Sequence, residues 1–298
     1  MGLFRSLAVA LLFFTFFSCQ RQKPELSQNS AAMKAPPQED EALPDLAEAI
    51  ARLGAGIGAN AGFIGFLSGV LQAAELPDNL SFKIQEDLAT SPAFILDLLA
   101  VREGDPYLRI LTDKQHPLAH DYEPADLVEL KDGSYRTGRT GLMLREAAAA
   151  ALDEMAAAAN LEGITLTASS AYRSYGYQAQ VYDRNVREMG QEAADRESAR
   201  PGYSQHQLGL VVDFGSIDDS FAQTAAGRWI AANASRFGWS LSYPMDYEAV
   251  TGYRWESWHY RYVGKDLAAF IDNYFGGIQQ YALRFIFEWE QASPRAFD

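Results

Sequence analysis

Two short stretches carry the side chains best suited to chemistry. GYSQHQLGLVVDFG contains His206 and Asp213, and the later stretch WESWHYRYVG contains Glu256 and His259. Catalytic zinc is typically held by three ligands from His, Asp or Glu, and its open position takes a water whose pKa falls to about 7. His206, Asp213 and His259 are therefore predicted to bind one zinc ion. Glu256 is the candidate general base, because a carboxylate beside that water can accept its proton and pass it to a leaving amine.

The geometry of a β-strand limits how the first two ligands can meet. Successive side chains of a strand alternate between its faces, so Asp213 lies on the face opposite Val212 at the end of an apolar strand. His206 is an odd number of positions before Asp213 and would point to the opposite face of an unbroken strand. We therefore predict that His206 lies in a loop before the strand, turned by Gly209.

Glu256 and His259 are three residues apart and face the same restriction. They can serve one site only if a bend or bulge separates them, and we predict such an irregularity. Taken alone, a histidine placed like His206 is more often a packed or capping residue, and an aspartate placed like Asp213 usually bonds backbone groups. The combination of SxHxxGxxxD with a later ExWH is far more restrictive and favours the metal site.

The same residues carry a resemblance to a known family. They are Ser204, His206, Gly209, Asp213, Glu256, Trp258 and His259. Their pattern resembles the signature of the VanY-like D-alanyl-D-alanine carboxypeptidases, which belong to the fold group of lysostaphin, D-Ala-D-Ala metallopeptidases and sonic hedgehog. The likeness extends upstream through SSAYRSYGYQAQVY and LTDKQHPLAHDYEPADLVEL, and thus over roughly the last two thirds of the chain. One departure is Gln205, where many members are expected to have Glu.

The resemblance implies a zinc-dependent carboxypeptidase that hydrolyses the D-Ala terminus of peptidoglycan stem peptides. An L,D-carboxypeptidase or a peptidoglycan endopeptidase with the same site remains an open alternative. A different class is a non-catalytic, zinc-stabilised binding module, which hedgehog represents within the fold group. Glu256 and Arg173 argue against the binding module, because a pure binder needs neither residue.

Arg173 follows a predicted strand, ITLTASS. A fixed guanidinium can stabilise the negative charge that develops on a carbonyl oxygen, and it can also bind a substrate carboxylate. The alternative is a surface ion pair, but in the resembling family the Arg of the SxYRS stretch serves the active site. The resemblance also implies that Gln178 binds substrate, and Ser204 is a further candidate from the loop beside His206. For both, a helix-surface amide or a turn hydroxyl stays an alternative.

Residues 1–19 have the pattern of a secretory signal. Arg5 precedes an apolar run from Leu7 to Phe17, which is too short to span a bilayer. Cys19 closes this segment, and its position resembles the lipidated cysteine of a bacterial lipoprotein. It is the only cysteine, so an intrachain disulfide is impossible. We expect an exported protein, anchored to a membrane by lipid and facing the periplasm or cell wall; an ordinary signal peptide or a structural cysteine is the alternative.

Composition divides the rest of the chain. Residues 20–44 are rich in Gln, Lys, Glu, Ser and Pro and are predicted to be a disordered tether. Residues 45–104 show apolar spacings of three and four, which predict a helical region, and residues 105–298 are predicted to be the zinc peptidase domain. The expected fold is α+β, with a small central antiparallel sheet flanked by helices, as in hedgehog and the DD-peptidases.

Two further features narrow the function. The formal net charge of −14 argues against a nucleic acid partner, because phosphate binding requires a basic face. His116 and His120 lie in a proline-bounded loop without helical geometry, so we do not predict that they are ligands. A supporting role behind the ligands remains open for them.

Several elements of the catalytic part are predicted from pattern alone. The alanine-rich stretch LREAAAAALDEMAAAAN predicts a helix, as do the charged stretch 187–200 and the amphipathic stretch 221–237. Stretches 239–243 and 255–263 are predicted to be paired strands, and two helices are expected to close the chain.

Overall fold

The computed structural model describes residues 61–296. Cys19 and the predicted signal, the predicted tether and residues 45–60 lie outside the described residues. Lipidation and the division of the chain into these segments therefore stay predictions. Within the described part, no helix combines the length and the apolar character needed to cross a bilayer.

Helices are the main secondary structure of the described residues. In chain order they are α1 (Ala61–Ala73), α2 (Asp78–Thr90), α3 (Ala93–Glu103), α4 (Glu146–Leu161), α5 (Tyr175–Met189), α6 (Gln191–Glu197), α7 (Ala225–Asn233), α8 (Glu248–Thr251), α9 (Lys265–Tyr274) and α10 (Gln279–Ala296). Short 3₁₀ turns lie between several of them, at Pro106–Arg109, Gln205–Leu208, Asp219–Gln223 and Ala234–Phe237.

The strands are short. They are β1 (Leu127–Glu129), β2 (Arg136–Thr137), β3 (Met143–Arg145), β4 (Thr167–Ser170), β5 (Val211–Phe214), β6 (Trp239–Leu241) and β7 (His259–Tyr262). Five of them form a central sheet in the order β2-β4-β5-β7-β6, and β1 pairs with β3 separately. The expected α+β fold with a small sheet flanked by helices is confirmed.

One edge of the central sheet differs from the expected antiparallel arrangement. β2 runs parallel to β4, whereas the pairs β4–β5, β5–β7 and β6–β7 are antiparallel. A parallel pair needs a long crossover, and the chain supplies one here because β3 and α4 lie between β2 and β4. β6 and β7 pair as predicted, but both are shorter than the predicted stretches 239–243 and 255–263.

The register of β5 against β7 gives the sheet two different faces. Asp213 lies opposite His259, and the next pair along is Val212 opposite Tyr260. Because side chains alternate across a sheet, Asp213 and His259 share one face, here named the site face, and Val212 and Tyr260 share the other, the apolar face. The strand alternation predicted for Asp213 and Val212 is thus confirmed.

Two apolar cores hold these elements together. The sheet core joins the apolar face to α4 and α7, and its buried side chains include Leu152, Val212, Phe214, Ile230 and Trp239. The helical core joins α1, α2 and α3 to α9 and α10, and its buried side chains include Leu71, Ile84, Phe94, Phe270 and Phe285. The helices before Gly104 therefore pack on the closing helices of the chain.

Two predicted helices are wrong in extent. The stretch 187–200 is not one helix, because Gly190 has φ of 82° and separates α5 from α6. The stretch 221–237 is helical as α7 only over Ala225–Asn233, between two 3₁₀ turns. Thr224 starts α7 by accepting a backbone hydrogen bond on its hydroxyl, which is a standard helix N-cap.

Candidate active site

His206 lies where the strand argument places it, in the turn before β5. The 3₁₀ turn Gln205–Leu208 ends at Gly209, whose φ is 69°. A Cβ at Gly209 would lie 2.9 Å from a Leu127 side-chain carbon, so both the backbone conformation and the space require glycine. The Ser204 hydroxyl accepts a hydrogen bond from the His206 backbone N–H and caps this turn.

Asp213 and His259 come from neighbouring strands, and Glu256 comes from a turn. Asp213 is the third residue of β5 and His259 the first of β7, and they are directly opposed. The backbone N–H of His259 donates to the carbonyl of Glu256 at 3.3 Å, which closes a turn over the two residues between them. The predicted irregularity between Glu256 and His259 is therefore confirmed.

The three predicted ligands converge. His206 Nε2 lies 3.2 Å from Asp213 Oδ2, and His259 Nδ1 lies 3.1 Å from Asp213 Oδ1. One donor atom from each residue falls within 4.8 Å of the other two, and all three residues are buried. His206 Nδ1 lies 2.7 Å from the carbonyl oxygen of Ala171 and donates to it, which leaves the Nε2 lone pair for a metal.

Two buried polar atoms in this group lack a hydrogen-bond partner. They are His259 Nε2 and Asp213 Oδ1; the latter lies 3.1 Å from His259 Nδ1, but not in hydrogen-bonding geometry. Buried polar atoms in folded proteins are nearly always satisfied, so an orphaned carboxylate oxygen among imidazoles indicates an absent partner. A divalent cation fits, because zinc prefers imidazole nitrogen and carboxylate oxygen. His206, Asp213 and His259 are thus the residues able to hold the metal.

The protonation states of His206 and Asp213 suit a metal site, whereas His259 must lose a proton to bind a metal. Burial, with the nearby charge of Arg173, lowers the pKa of His206 to about 4, so its imidazole is neutral at pH 7. Burial raises the pKa of Asp213, but the two histidines outweigh burial and hold it well below its usual range. Burial opposes the charged form of His259, yet Asp213 and Glu256 outweigh it and raise that pKa to about 9.

Glu256 lies directly beside the metal-binding group. Its Oε2 is 3.3 Å from His259 Nδ1, and the residue is buried. Burial raises the pKa of Glu256, even though His259 favours the carboxylate. A raised carboxyl pKa makes Glu256 a stronger base than an exposed glutamate, as a general base requires.

Arg173 also reaches the site. Its NH2 donates to Asp213 Oδ2 at 2.8 Å and to the Ser170 hydroxyl at 3.0 Å, and its backbone N–H donates to the His206 carbonyl. Gln178 accepts from Arg173 NH1 at 3.4 Å and donates to the Ala199 carbonyl at 2.7 Å. The arginine is therefore held in one orientation rather than paired on the surface.

All these groups open into one cleft of about 360 Å³. Its inner lining includes every predicted site residue of the peptidase domain, namely Arg173, Gln178, Ser204, His206, Asp213, Glu256 and His259. Gln178 and Ser204 are both buried, and their known bonds are to protein atoms. Both residues therefore line the cleft, and the prediction that they bind substrate stays a prediction.

Sequence reasoning missed several cleft residues. Ser170 orients Arg173, and the ring of Tyr243 lies 4.7 Å from that of His259. The only sequence signal for Ser170 was its position at the end of a strand that leads to Arg173. Tyr243 is both buried and cleft-lining.

The two loop histidines do not line the cleft. His116 Nδ1 lies 2.8 Å from Asp113 Oδ1, and its ring packs against Phe287. The ring of His120 lies 4.3 Å from that of Tyr175. Within the described residues, the metal-binding group does not include either histidine.

Together these features define a class of protein. A buried His, Asp and His set able to hold zinc, a buried carboxylate beside it and a fixed arginine open into one cleft. This is the arrangement of a metal-dependent hydrolase.

Comparisons with known proteins agree with that class. The VanY D-alanyl-D-alanine carboxypeptidase family matches residues 141–265. A D-alanyl-D-alanine carboxypeptidase of Enterococcus faecalis is 30% identical over 223 residues, which cover 70% of this chain and 80% of the relative.

Two solved structures are also similar. A mutant of the vancomycin-resistance D,D-pentapeptidase VanY in complex with Zn(II) is 31% identical, with a TM-score of 0.51, over 59% of this chain and 99% of that chain. The LdcB LD-carboxypeptidase is 37% identical, with a TM-score of 0.51, over 56% of this chain and 85% of that chain. The chain belongs to the VanY-type D-alanyl-D-alanine carboxypeptidase family, and it is a metallocarboxypeptidase.

Proposed function

We propose that the protein is a zinc-dependent D-alanyl-D-alanine carboxypeptidase that removes the terminal D-Ala of peptidoglycan stem peptides. The observation that carries this proposal is the convergence of three buried donor atoms beside Glu256 at the base of the cleft. The similar VanY structure binds Zn(II), and the Enterococcus faecalis relative is a D-alanyl-D-alanine carboxypeptidase.

His206, Asp213 and His259 hold the zinc ion in this proposal. Zinc, when bound, supplies Lewis-acid chemistry that polarises a carbonyl and makes a water more acidic. Glu256 takes the proton of the attacking water on its carboxylate and then gives it to the leaving D-Ala amine. Burial favours both steps, because it brings the pKa of Glu256 closer to neutral pH.

Arg173 supplies the remaining positive charge. Arg173 lines the cleft, and its NH1 has an N–H beyond the one donated to Gln178. A donor fixed in this way stabilises negative charge on the scissile carbonyl oxygen or binds the terminal carboxylate of the substrate. Gln178 and Ser204, which line the same cleft, are the proposed substrate-binding residues beside it.

A second candidate function is L,D-carboxypeptidase activity. The specific observation in its favour is the similarity to LdcB, an LD-carboxypeptidase that shares 37% identity with this chain. The same catalytic residues would serve both reactions, since both release a terminal D-Ala. An endopeptidase with this site differs only in the peptide bond that it cleaves.

Products of defined peptides distinguish these activities. The zinc-loaded full chain is incubated with three substrates. They are a pentapeptide ending in D-Ala-D-Ala, a tetrapeptide whose terminal D-Ala follows an L-configured residue, and a cross-linked dimer of stem peptides. The proposal predicts loss of one alanine from the pentapeptide, and no loss in the presence of a chelator. Shortening of the tetrapeptide alone would favour the second candidate, and no hydrolysis of any peptide would favour a binding module.

The sequence also leads us to propose export and a lipid anchor at Cys19. The support is the apolar run followed by the only cysteine of the chain. Metabolic labelling with a radioactive fatty acid tests this proposal. Label should enter the wild type and be absent from a Cys19→Ser variant; equal labelling of both would contradict it.

A further inference from the structure

The cleft carries more positive charge than the rest of the molecule would suggest. The whole chain has a formal net charge of −14. The charged residues lining the cleft are nevertheless four arginines and three carboxylates, namely Arg139, Arg173, Arg184, Arg254, Glu197, Asp213 and Glu256. Zinc bound to the site would add two more positive charges.

Two of these arginines already have partners. Arg173 pairs with Asp213, and Arg254 pairs with Glu197 at 2.6 Å and with Asp219 at 2.7 Å. Two of the three cleft carboxylates, Asp213 and Glu197, are therefore already paired with arginines.

Arg139 and Arg184 are different, because neither forms an ion pair within residues 61–296. Both are exposed. Glu256, the remaining cleft carboxylate, is buried beside His259 and is assigned to proton transfer. The outer cleft therefore presents two guanidinium groups whose charge the described protein does not neutralise.

The two guanidinium groups line one wall of the cleft. The Arg139 guanidinium lies 6.0 Å from the centre of the Tyr177 ring. Tyr177, Val181 and Arg184 are spaced four and then three residues apart on α5, so they lie on one helix face. Gln178, which bonds Arg173, marks the inner end of this wall. At 1.5 Å per residue, Arg184 lies roughly 9 Å along the helix from Gln178.

We propose that Arg139 and Arg184 recognise carboxylates on the substrate segment that precedes the scissile bond, so that the cleft selects acidic peptides. This inference rests on the proposed carboxypeptidase function. A separation of roughly 9 Å corresponds to about three residues of an extended peptide, which places Arg184 beside the substrate segment before the scissile bond. Arginine suits this role, because its planar fork binds carboxylates with two parallel hydrogen bonds.

Apolar side chains beside these arginines strengthen the inference. Tyr177, Met189 and Ile217 line the cleft although 42%, 43% and 52% of each is exposed. A bound peptide would cover them and exclude water around the ion pairs, which strengthens charge interactions. The wall thus combines apolar contact with positive charge.

The test compares the binding of two peptides to the zinc-loaded full chain carrying Glu256→Gln, which prevents turnover. Both peptides are pentapeptides ending in D-Ala-D-Ala. The acidic peptide has free carboxylates on its second and third residues, and the amide peptide has both as carboxamides. Calorimetry should show that the acidic peptide binds about tenfold more tightly at low salt, and that this ratio falls as ionic strength increases.

Substitution locates the source of the preference. Arg139→Gln and Arg184→Gln should each reduce the affinity ratio about two- to fivefold, and the double substitution should bring it close to one. Arg187→Gln is the matched control, because Arg187 is exposed on α5 but does not line the cleft. Its ratio should equal that of the unsubstituted chain.

Equal affinity for the two peptides, or a ratio that survives the double substitution, would overturn the inference. Turnover by the chain with Glu256 intact tests the proposed function separately. Preferential binding of the acidic peptide without release of D-Ala would contradict the carboxypeptidase function and support the acidic selectivity. Release of D-Ala with equal affinities would do the reverse.

Discussion

The two faces of the central sheet differ in the chemistry of their buried side chains. On the apolar face, Val212, Phe214 and Tyr260 are buried in contact with the sheet core. On the site face, Asp213 and His259 are equally buried, but each has an atom without a hydrogen-bond partner. Neighbouring residues of one strand thus serve different purposes: the apolar face stabilises the fold, and the site face is arranged for a ligand.

Arg261, further along β7, is another buried charged residue on the site face. It is completely buried, and its NH2 donates to the carbonyls of Leu108 and Ile110 at 2.9 Å. Its Nε and NH1 have no hydrogen-bond partner. Burial lowers its pKa to about 10, which still leaves it charged at neutral pH. The site face therefore carries buried charged side chains, whereas the buried side chains of the apolar face are uncharged.

Replacing Glu256 with Gln should have the largest effect. The amide cannot accept the proton, so we expect turnover to fall by about 100- to 10,000-fold, while zinc content and thermal stability stay at wild-type level or above. Rates of D-Ala release and metal analysis on the same preparation measure both. Glu192→Gln, an exposed change on α6, serves as the control. Wild-type turnover in the Glu256 variant would remove this residue from the mechanism.

One substitution in each apolar core should show which core supports zinc binding. Phe94→Ala in the helical core and Phe214→Ala in the sheet core should each cost about 3–5 kcal/mol in the free energy of unfolding. Phe214 directly follows Asp213, so only its replacement should also weaken zinc binding. Denaturant titrations and zinc titrations at low temperature measure the two effects. An equal loss of zinc affinity in both variants would show that the cores are not separable in this way.

Zinc affinity should depend on pH through His259. Its pKa in the metal-free protein is raised to about 9, so at pH 7 it carries a proton that zinc must displace. The apparent affinity should increase about tenfold per pH unit from pH 7 and level off near pH 9. His206, with its pKa lowered to about 4, adds nothing in this range. Competition with a chromophoric chelator measures the slope, and a flat profile would contradict the assignment.

A small network links the site face to the helical core. Ser242 donates to Gln205 at 2.7 Å, Gln205 donates to Gln279 of α10 at 3.4 Å, and Gln279 donates to the Ser240 carbonyl. Gln205→Leu should leave these buried groups unsatisfied and destabilise the fold by about 1–3 kcal/mol. Thermal unfolding compares it with Gln180→Leu, an exposed change on α5. Equal melting temperatures would show that the network is not stabilising.

The sequence predicted the local part of the site well. The strand alternation around Asp213, the turn that holds His206 and the bend between Glu256 and His259 all follow from the number of residues between them. Residue type also pointed to zinc, because catalytic zinc is typically held by three side chains such as His, Asp and Glu. These features depend on neighbours in the chain.

Features that depend on distant contacts were not predictable. The packing of α1, α2 and α3 on α9 and α10 joins opposite ends of the described part of the chain, and no local pattern encodes it. Arg139 and Arg184 look like ordinary exposed arginines until the fold brings them to one cleft. The break at Gly190 was visible as a glycine, but a single glycine does not show that its φ is positive.

The most direct test of the metal centre is the zinc content of the purified full chain, measured by atomic emission with circular dichroism as a check of folding. One zinc ion per chain is predicted for the wild type and for Glu256→Gln, and none for a folded Asp213→Ala variant. Zinc at full occupancy in the folded Asp213→Ala variant, or no zinc in the wild type, would contradict the site built from His206, Asp213 and His259.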